Sequence, residues 1–218
     1  MTMVYVTNFN NLRRGFQRLV EWLTATDSVA VTVINNASSW GPLTNYYVAH
    51  PELKVIYNQE NLGPYAFWEL GLHKQQTERF IVTDPDLVPS EMCPSALLTI
   101  DRMNSVMELY QAGKVGVSLS LDNIPEYFSQ AKEVKIWEQQ FWDRPTPDRL
   151  AYHADIDTTF ALYEPGSEVR SEKPSLRLAS PYSMDHVPWF EDSSKPNPER
   201  DWYLKTIRKD WTHWSKQL

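Results

Sequence analysis

Asp84-Pro85-Asp86 stands where the apolar run Phe80-Ile81-Val82-Thr83 stops and a Pro-bounded loop, Leu87-Val88-Pro89-Ser90, begins. Residues i and i+2 of an extended segment point the same way, and Pro85 biases Asp84 toward the extended region. Both carboxylates are therefore expected to project together from a strand end. Two hard oxygen ligands on one side of a loop suit Mg²⁺ or Mn²⁺ carrying a phosphorylated substrate. With 13 Asp in 218 residues, chance alone supplies roughly 0.8 D-x-D triplets, and a second occurs at Asp155-Ile156-Asp157, so position must separate them. Asp84 and Asp86 follow their strand, whereas Asp155 and Asp157 precede the apolar run at 158–163. The two pairs share a cleft only if that later strand runs antiparallel to the main sheet. Asp86 and Asp84 then hold metal and diphosphate, and Asp157 or Asp155 faces the reacting carbon, where it can remove a proton from an incoming hydroxyl. The plainer reading of the later pair is a strand-entry turn or a cap.

The elements that must position these residues alternate along the first half of the chain. Val4-Tyr5-Val6-Thr7 reads as a strand, 12–24 as a helix with Phe16, Leu19, Val20 and Leu23 on one stripe, and 29–34 as a second, β-branched strand. A third strand falls at 54–57, a helix with Pro near its first turn at 64–76, and a fourth strand at 80–83. Residues 94–112 read as a helix stopped by Gly113, and 115–121 as a fifth strand. This β-α-β alternation predicts a largely parallel sheet covered by helices. After Asn123 the pattern changes to a short helix bearing Trp137, Phe141 and Trp142, a strand at 158–163 stopped by Pro165-Gly166, an exposed loop at 191–198 and a final Trp-rich helix. No linker separates the halves, so 1–218 is expected to be one domain, with 1–123 as the nucleotide half and 124–218 as the acceptor half.

Composition narrows the class. The aromatic share of 13%, with 9 Trp, supplies flat walls for sugars or bases as well as core. A net charge of −7 argues against a nucleic-acid partner, and an anionic ligand needs a metal or local basic residues. Cys93 is the only cysteine, the start Met1-Thr2-Met3-Val4 lacks signal-peptide features, and no apolar run approaches membrane-spanning length. The expected address is cytoplasmic and soluble. G-x-G-x-x-G and G-x-x-x-x-G-K-[ST] are both missing, which disfavours a dinucleotide enzyme or P-loop ATPase.

In open α/β sheets ligands sit beyond the carboxyl ends of the strands. Here those ends carry Thr7-Asn8-Phe9-Asn10, Asn35-Asn36-Ala37-Ser38, Asn58 through Asn61-Leu62-Gly63-Pro64, and Asp84-Pro85-Asp86. Amide and hydroxyl side chains can read a uracil edge or ribose hydroxyls, and Phe9 or Trp40 can stack on a base. Each loop singly is as well explained by turn formation; four together point to a nucleotide.

Val31-Thr32-Val33-Ile34-Asn35-Asn36-Ala37-Ser38, Asn61-Leu62-Gly63 opening a helix, and Phe80-Ile81-Val82-Thr83-Asp84-Pro85-Asp86 together resemble the nucleotide-sugar half of GT-A glycosyltransferases. The resemblance covers about the first 125 residues. It departs from the pattern at Asn35, where many relatives carry an acidic nucleoside ligand. The whole chain is similar to compact glycosyltransferase domains encoded by large algal viruses, some of which are parts of longer polypeptides. The resemblance implies a GT-A, Rossmann-like α/β fold with a mixed, mostly parallel sheet. It also implies a nucleotide-diphosphate-sugar donor, most often UDP-linked, and Mn²⁺ or Mg²⁺ at the D-x-D. Thr7, Asn8, Phe9, Asn35, Asn36, Asn61 and Gly63 are then donor-binding candidates, and Asp86 and Asp84 metal ligands. Many GT-A enzymes add a ligand, frequently His, from a carboxyl-terminal loop, and His186 within Tyr182-Ser183-Met184-Asp185-His186-Val187-Pro188-Trp189 is the best local match. Arg177 could pair with the diphosphate, with Arg13 and Arg14 competing for that role. Trp189, Tyr152, Trp137 and Trp142 are candidate acceptor platforms.

The expected activity is metal-dependent transfer of a hexose, such as glucose or a deoxyhexose, from a UDP-sugar to a hydroxyl of a glycan or glycoprotein. Inversion is expected from the late carboxylate and from resemblance to inverting members. Three other readings compete. A sugar nucleotidyltransferase usually carries a Gly-rich basic loop after its first strand, where this chain has Asn8-Phe9-Asn10-Asn11-Leu12-Arg13-Arg14-Gly15. A non-catalytic carbohydrate-binding module predicts sugar binding without nucleotide or metal. A haloacid-dehalogenase-type phosphatase carries its D-x-D after the first strand, not the fourth.

Overall fold

Strand β1 (Thr2–Asn8) lies between two parallel neighbours, β2 (Val29–Asn35) and β4 (Phe80–Thr83), while β3 (Lys54–Tyr57) extends the sheet beyond β2. The computed structural model describes residues 1–170, 172–192, 194–209 and 211. A strand covered on both faces has no polar side to show, and β1 and β4 are accordingly apolar in continuous runs. Alternation divides their side chains between two cores. Val4, Val6 and Ile81 join a large cluster with Phe16, Leu19 and Leu23 of α1 (Phe16–Thr24), whereas Tyr5, Phe80 and Val82 pack with Phe67 and Trp68 of α3 (Ala66–Glu69). Among the described residues, no helix is long and apolar enough to cross a membrane.

The second half completes the same sheet, whose eight strands run β3-β2-β1-β4-β9-β6-β10-β8. Here β9 (Ala161–Tyr163) is antiparallel to both β4 and β6 (Lys114–Gly116), β10 (Ser175–Leu178) is parallel to β6, and β8 (Ala151–His153) pairs antiparallel with β10. The fold is therefore mixed α/β and Rossmann-like, with parallel and antiparallel strands. A second, three-stranded sheet pairs β11 (Ser183–His186) antiparallel with β5 (Leu87–Pro89) and parallel with β7 (Ser118–Leu119). This small sheet sits directly after Asp86 and carries His186 opposite Leu87.

Several expected elements are cut or added for local reasons. The expected strand at 115–121 is split between the two sheets as β6 and β7, with Val117 bonded to the Phe160 carbonyl at the break. The expected helix at 64–76 stops at α3 and resumes as a 3-10 turn, Leu72–Gln75, because Gly71 takes φ 67°. An unexpected helix, α2 (Gly41–Ala49), supplies the crossover that the parallel β2–β3 pair requires, burying Leu43 and Tyr47 one turn apart. Helices α4 (Ala96–Tyr110), α5 (Ala131–Gln139) and α6 (Pro198–Thr206) fall close to where apolar spacing and caps place them. Asn197 caps α6, accepting from the amides of Glu199 and Arg200.

Candidate active site

The turn that joins β4 to β5 holds Asp84 and Asp86 recessed in the wall of a cavity of about 1060 Å³. The Asp84 amide donates to the Thr158 carbonyl at 3.1 Å, and the Thr158 hydroxyl donates to Asp84 Oδ2 at 2.7 Å. Asp86 is held on its other side: its carbonyl accepts from Val187 N at 2.9 Å, and its Oδ2 lies 3.5 Å from His186 Nε2. The two carboxyls are driven apart in acidity. Burial and then the neighbouring Asp86 push Asp84 well above the usual range. Burial acts on Asp86 in the same direction but is overcome by the charge and hydrogen bond of His186 and by Arg14, so it stays below that range. Gly15 makes the close approach possible. It takes φ 133°, and a Cβ there would lie 2.7 Å from Asp86 Cα and 2.8 Å from the Pro85 carbonyl oxygen.

Because β9 runs antiparallel to β4, the chain entering it passes the same cavity, which Asp155 and Asp157 line. Their alternation with Ile156 is decisive. Ile156 turns inward against Gly116, where its Cδ1 lies 2.9 Å from the place a Cβ would occupy, and both carboxylates face out. Lys114 fastens this segment from beneath, donating from Nζ to the Ile156 carbonyl at 2.5 Å and the Val169 carbonyl at 3.1 Å. Burial lowers the Lys114 ammonium to about 8 against the opposing pull of Asp157 and Asp155. From the donor half, Tyr65 donates its hydroxyl to Asp157 Oδ1 at 2.7 Å, and burial together with Asp157 raises the phenol to about 12. Neither Lys114 nor Tyr65 was singled out in the sequence; the available signal was a lysine opening an apolar strand.

The basic residues divide sharply. Arg13 points to solvent and does not line the cavity, whereas Arg14 is buried and does. Arg14 grips Glu191 with Nε at 2.5 Å and Nη2 at 3.0 Å. Arg177 lines the cavity too, ion-paired with Glu138, stacked 4.0 Å over the Phe141 ring and donating from Nε to the Asp155 carbonyl at 2.8 Å. Its charge is thus already matched by a carboxylate.

The amide-rich loops are largely committed to one another. Asn8 donates to the Asn11 carbonyl and the Tyr47 hydroxyl, Asn35 accepts from the Ser38 amide, and neither lines the cavity. Asn36 and Asn61 do, joined at 2.7 Å. Asn36 also donates to the Gly63 carbonyl and accepts from Asn58 and the Leu62 amide, which fills its hydrogen-bonding capacity. Thr7, whose buried hydroxyl has no partner among the described residues, Phe9 and Gly63 complete this end. Tyr203, Ile207 and Trp211 close it from the carboxyl-terminal segment, and Trp211 lies against Gly63 where a Cβ would come within 3.2 Å of the indole. The aromatic candidates separate in the same way. Trp137 is half-exposed at the cavity, Trp189 is buried in its wall with its ring 4.8 Å from that of His186, and Tyr152 lies outside, packed on Trp142.

Among the described residues, no group of three or more His, Cys, Asp or Glu is arranged as a closed metal cage. Asp86 and His186 offer one oxygen and one nitrogen side by side, and His186 Nδ1 is buried without a partner among the described residues. Two donors fall short of a closed coordination shell. Ions that bind together with phosphates use one or two carboxylates and complete their shell with phosphate oxygens and water.

No protein-family model matches the sequence, and a comparison with curated proteins finds no match. Comparison with solved structures does find similarity. A mannosyltransferase from Pyrobaculum calidifontis, determined with GDP-Man and Mn²⁺, superposes with a TM-score of 0.53 at 14% identity, over 94% of this chain and 60% of the other. TarS residues 1–349 of S. aureus, with UDP-GlcNAc, gives 0.49 at 14% identity over 94% and 64%. Glucosyl-3-phosphoglycerate synthase of Mycobacterium tuberculosis gives 0.46 at 11% over 75% and 56%. The chain therefore spans about 60% of the length of the mannosyltransferase whose fold it shares.

Proposed function

We propose that the chain is a metal-dependent glycosyltransferase that moves a hexose from a UDP-sugar to a carbohydrate hydroxyl. The observation that carries this reading is the convergence of Asp84, Asp86, His186, Asp155 and Asp157 on one cavity beyond the carboxyl ends of β1, β2 and β4. The shared fold of a mannosyltransferase in complex with GDP-Man and Mn²⁺ supports the metal-dependent sugar transfer, though not the choice of UDP.

In this reading the nucleoside lies against Thr7, Phe9, Asn36, Asn61 and Gly63, with Trp211 over it, and the diphosphate reaches Asp86. Asp86 and His186 would hold Mn²⁺ or Mg²⁺, with Asp84, fixed by Thr158, beside them. When bound, the ion supplies charge neutralisation for the departing diphosphate. Arg14 adds a cation beside Asp86, and Arg13 drops out of the assignment. Asp157 or Asp155 takes the proton from the acceptor hydroxyl as its oxygen bonds to the sugar carbon and the bond to the diphosphate breaks, inverting that carbon. Tyr65 orients Asp157, and Trp137 offers the half-exposed ring on which an acceptor sugar stacks.

The test is a donor screen that follows nucleotide release from UDP- and GDP-sugars with Mn²⁺. Slow hydrolysis of one UDP-hexose, abolished by a chelator, is expected. No release from any donor, or release indifferent to chelation, contradicts the assignment.

A further inference from the structure

Glu138 of α5 and Arg177 of β10 form an ion pair in the cavity wall, with exposures of only 3% and 4%. The pair bridges the two chemical ends of the site. Arg177 bonds the Asp155 carbonyl, and Glu138 lines the same cavity as His186. A hexose bound in this cavity shares its lining with the pair.

Buried ion pairs often stabilise a fold no more than apolar residues of equal volume, so fold stability alone does not account for two charges kept in the wall of a cavity. A phosphate is a poor fit, because Glu138 cancels the guanidinium charge and repels anions. Neutral hydroxyls fit well. A carboxylate accepts several hydrogen bonds, a hydroxyl donates one, and burial pushes the Glu138 carboxyl up despite Arg177, so further donors are favoured there.

We propose that the Glu138–Arg177 pair selects the donor sugar: Glu138 accepts a hydrogen bond from one hydroxyl of the transferred hexose, and Arg177 holds that carboxylate in place. The proposal rests on the glycosyltransferase reading above. Glu138 is then a specificity-determining residue and Arg177 a positioning residue, clamped by Phe141 and the Asp155 carbonyl. A site built around a hydroxyl rejects analogues lacking it far more strongly than an apolar pocket rejects a change of size.

The experiment compares wild type, Glu138→Gln and Glu138→Asp on UDP-hexoses that differ at single hydroxyls, including deoxy analogues, with UDP affinity measured in parallel. For Glu138→Gln, which retains an acceptor for Arg177, UDP affinity is expected to stay within about twofold of wild type. The preference in kcat/KM for the best donor over its single-hydroxyl variants is expected to fall about tenfold or more. Glu138→Asp, which keeps the charge but withdraws it by one methylene, is expected to reorder the donors and serves if the glutamine variant does not fold. Rates lowered equally on every donor, with the ranking unchanged, overturn the selector alone. A wild type that turns over no nucleotide sugar overturns the parent reading and the selector together.

Discussion

The Thr158 hydroxyl donates to Asp84 Oδ2 at 2.7 Å, so the residue that follows the second D-x-D triplet is bonded to the residue that opens the first. With the amide bond returned from Asp84 to the Thr158 carbonyl, the pair clasps β4 to the segment entering β9. This hydrogen bond orients Asp84 and favours its ionised form against the upward push of burial. Thr158→Val keeps the shape and removes the donor. It is expected to weaken Mn²⁺-dependent UDP binding about tenfold, with Thr158→Ser close to wild type, as read by calorimetry.

Gly15 sets the distance between the start of α1 and the metal-side turn. Gly15→Ala places a Cβ 2.7 Å from Asp86 Cα in a backbone conformation with φ 133°. The expected cost is about 2–4 kcal/mol in urea unfolding. Gly166→Ala is the control: φ is also positive at 69°, but a Cβ there meets open space, and the cost is expected near 1 kcal/mol.

Lys114 makes stability rise with pH in an alkaline window. Its folded value, about 8, lies below the unfolded 10.5, so between these values the unfolded chain binds more protons. The penalty of burying the ammonium is fully present below about pH 8 and is relieved as pH climbs toward 10.5. Relative to Lys114→Met, wild-type unfolding free energy is expected to increase through that window, with a slope no steeper than about 1.4 kcal/mol per pH unit. A flat difference between pH 8 and 10.5 contradicts the assignment.

Glu199 ties the carboxyl-terminal helix to the nucleotide end of the site. Its carboxylate accepts from the amides of Leu12 at 2.7 Å, Arg13 at 3.1 Å and Arg14 at 3.2 Å, all at the β1–α1 connection. Glu199→Ala leaves these donors unmatched and is expected to cost about 3 kcal/mol or more. Amide hydrogen exchange at residues 12–14 is expected to accelerate more than exchange in β1.

The parallel half of the sheet was readable because β1, β2 and β4 are apolar runs without a polar face, and α1 shows its buried stripe openly. The rest was hidden for identifiable reasons. Strands β8, β10 and β11 are three or four residues long and partly polar, too short for periodicity to register. The Arg14–Glu191, Tyr65–Asp157 and Arg177–Glu138 contacts join residues 177, 92 and 39 positions apart, and no local pattern marks such partners. Asn8 and Asn35 looked like ligand-reading amides, yet asparagine at a strand end is equally able to hold its own loop, and here both do. Sequence alone stated the condition for a shared cleft, an antiparallel later strand, without being able to supply it; β9 meets it.

The most direct measurement is calorimetric titration of UDP, with and without Mn²⁺, into wild type and Asp86→Ala. A metal-dependent diphosphate site predicts that wild type binds UDP much more tightly with Mn²⁺, and that Asp86→Ala loses this increment while retaining its fold. Equal, metal-independent binding by both proteins would contradict the account.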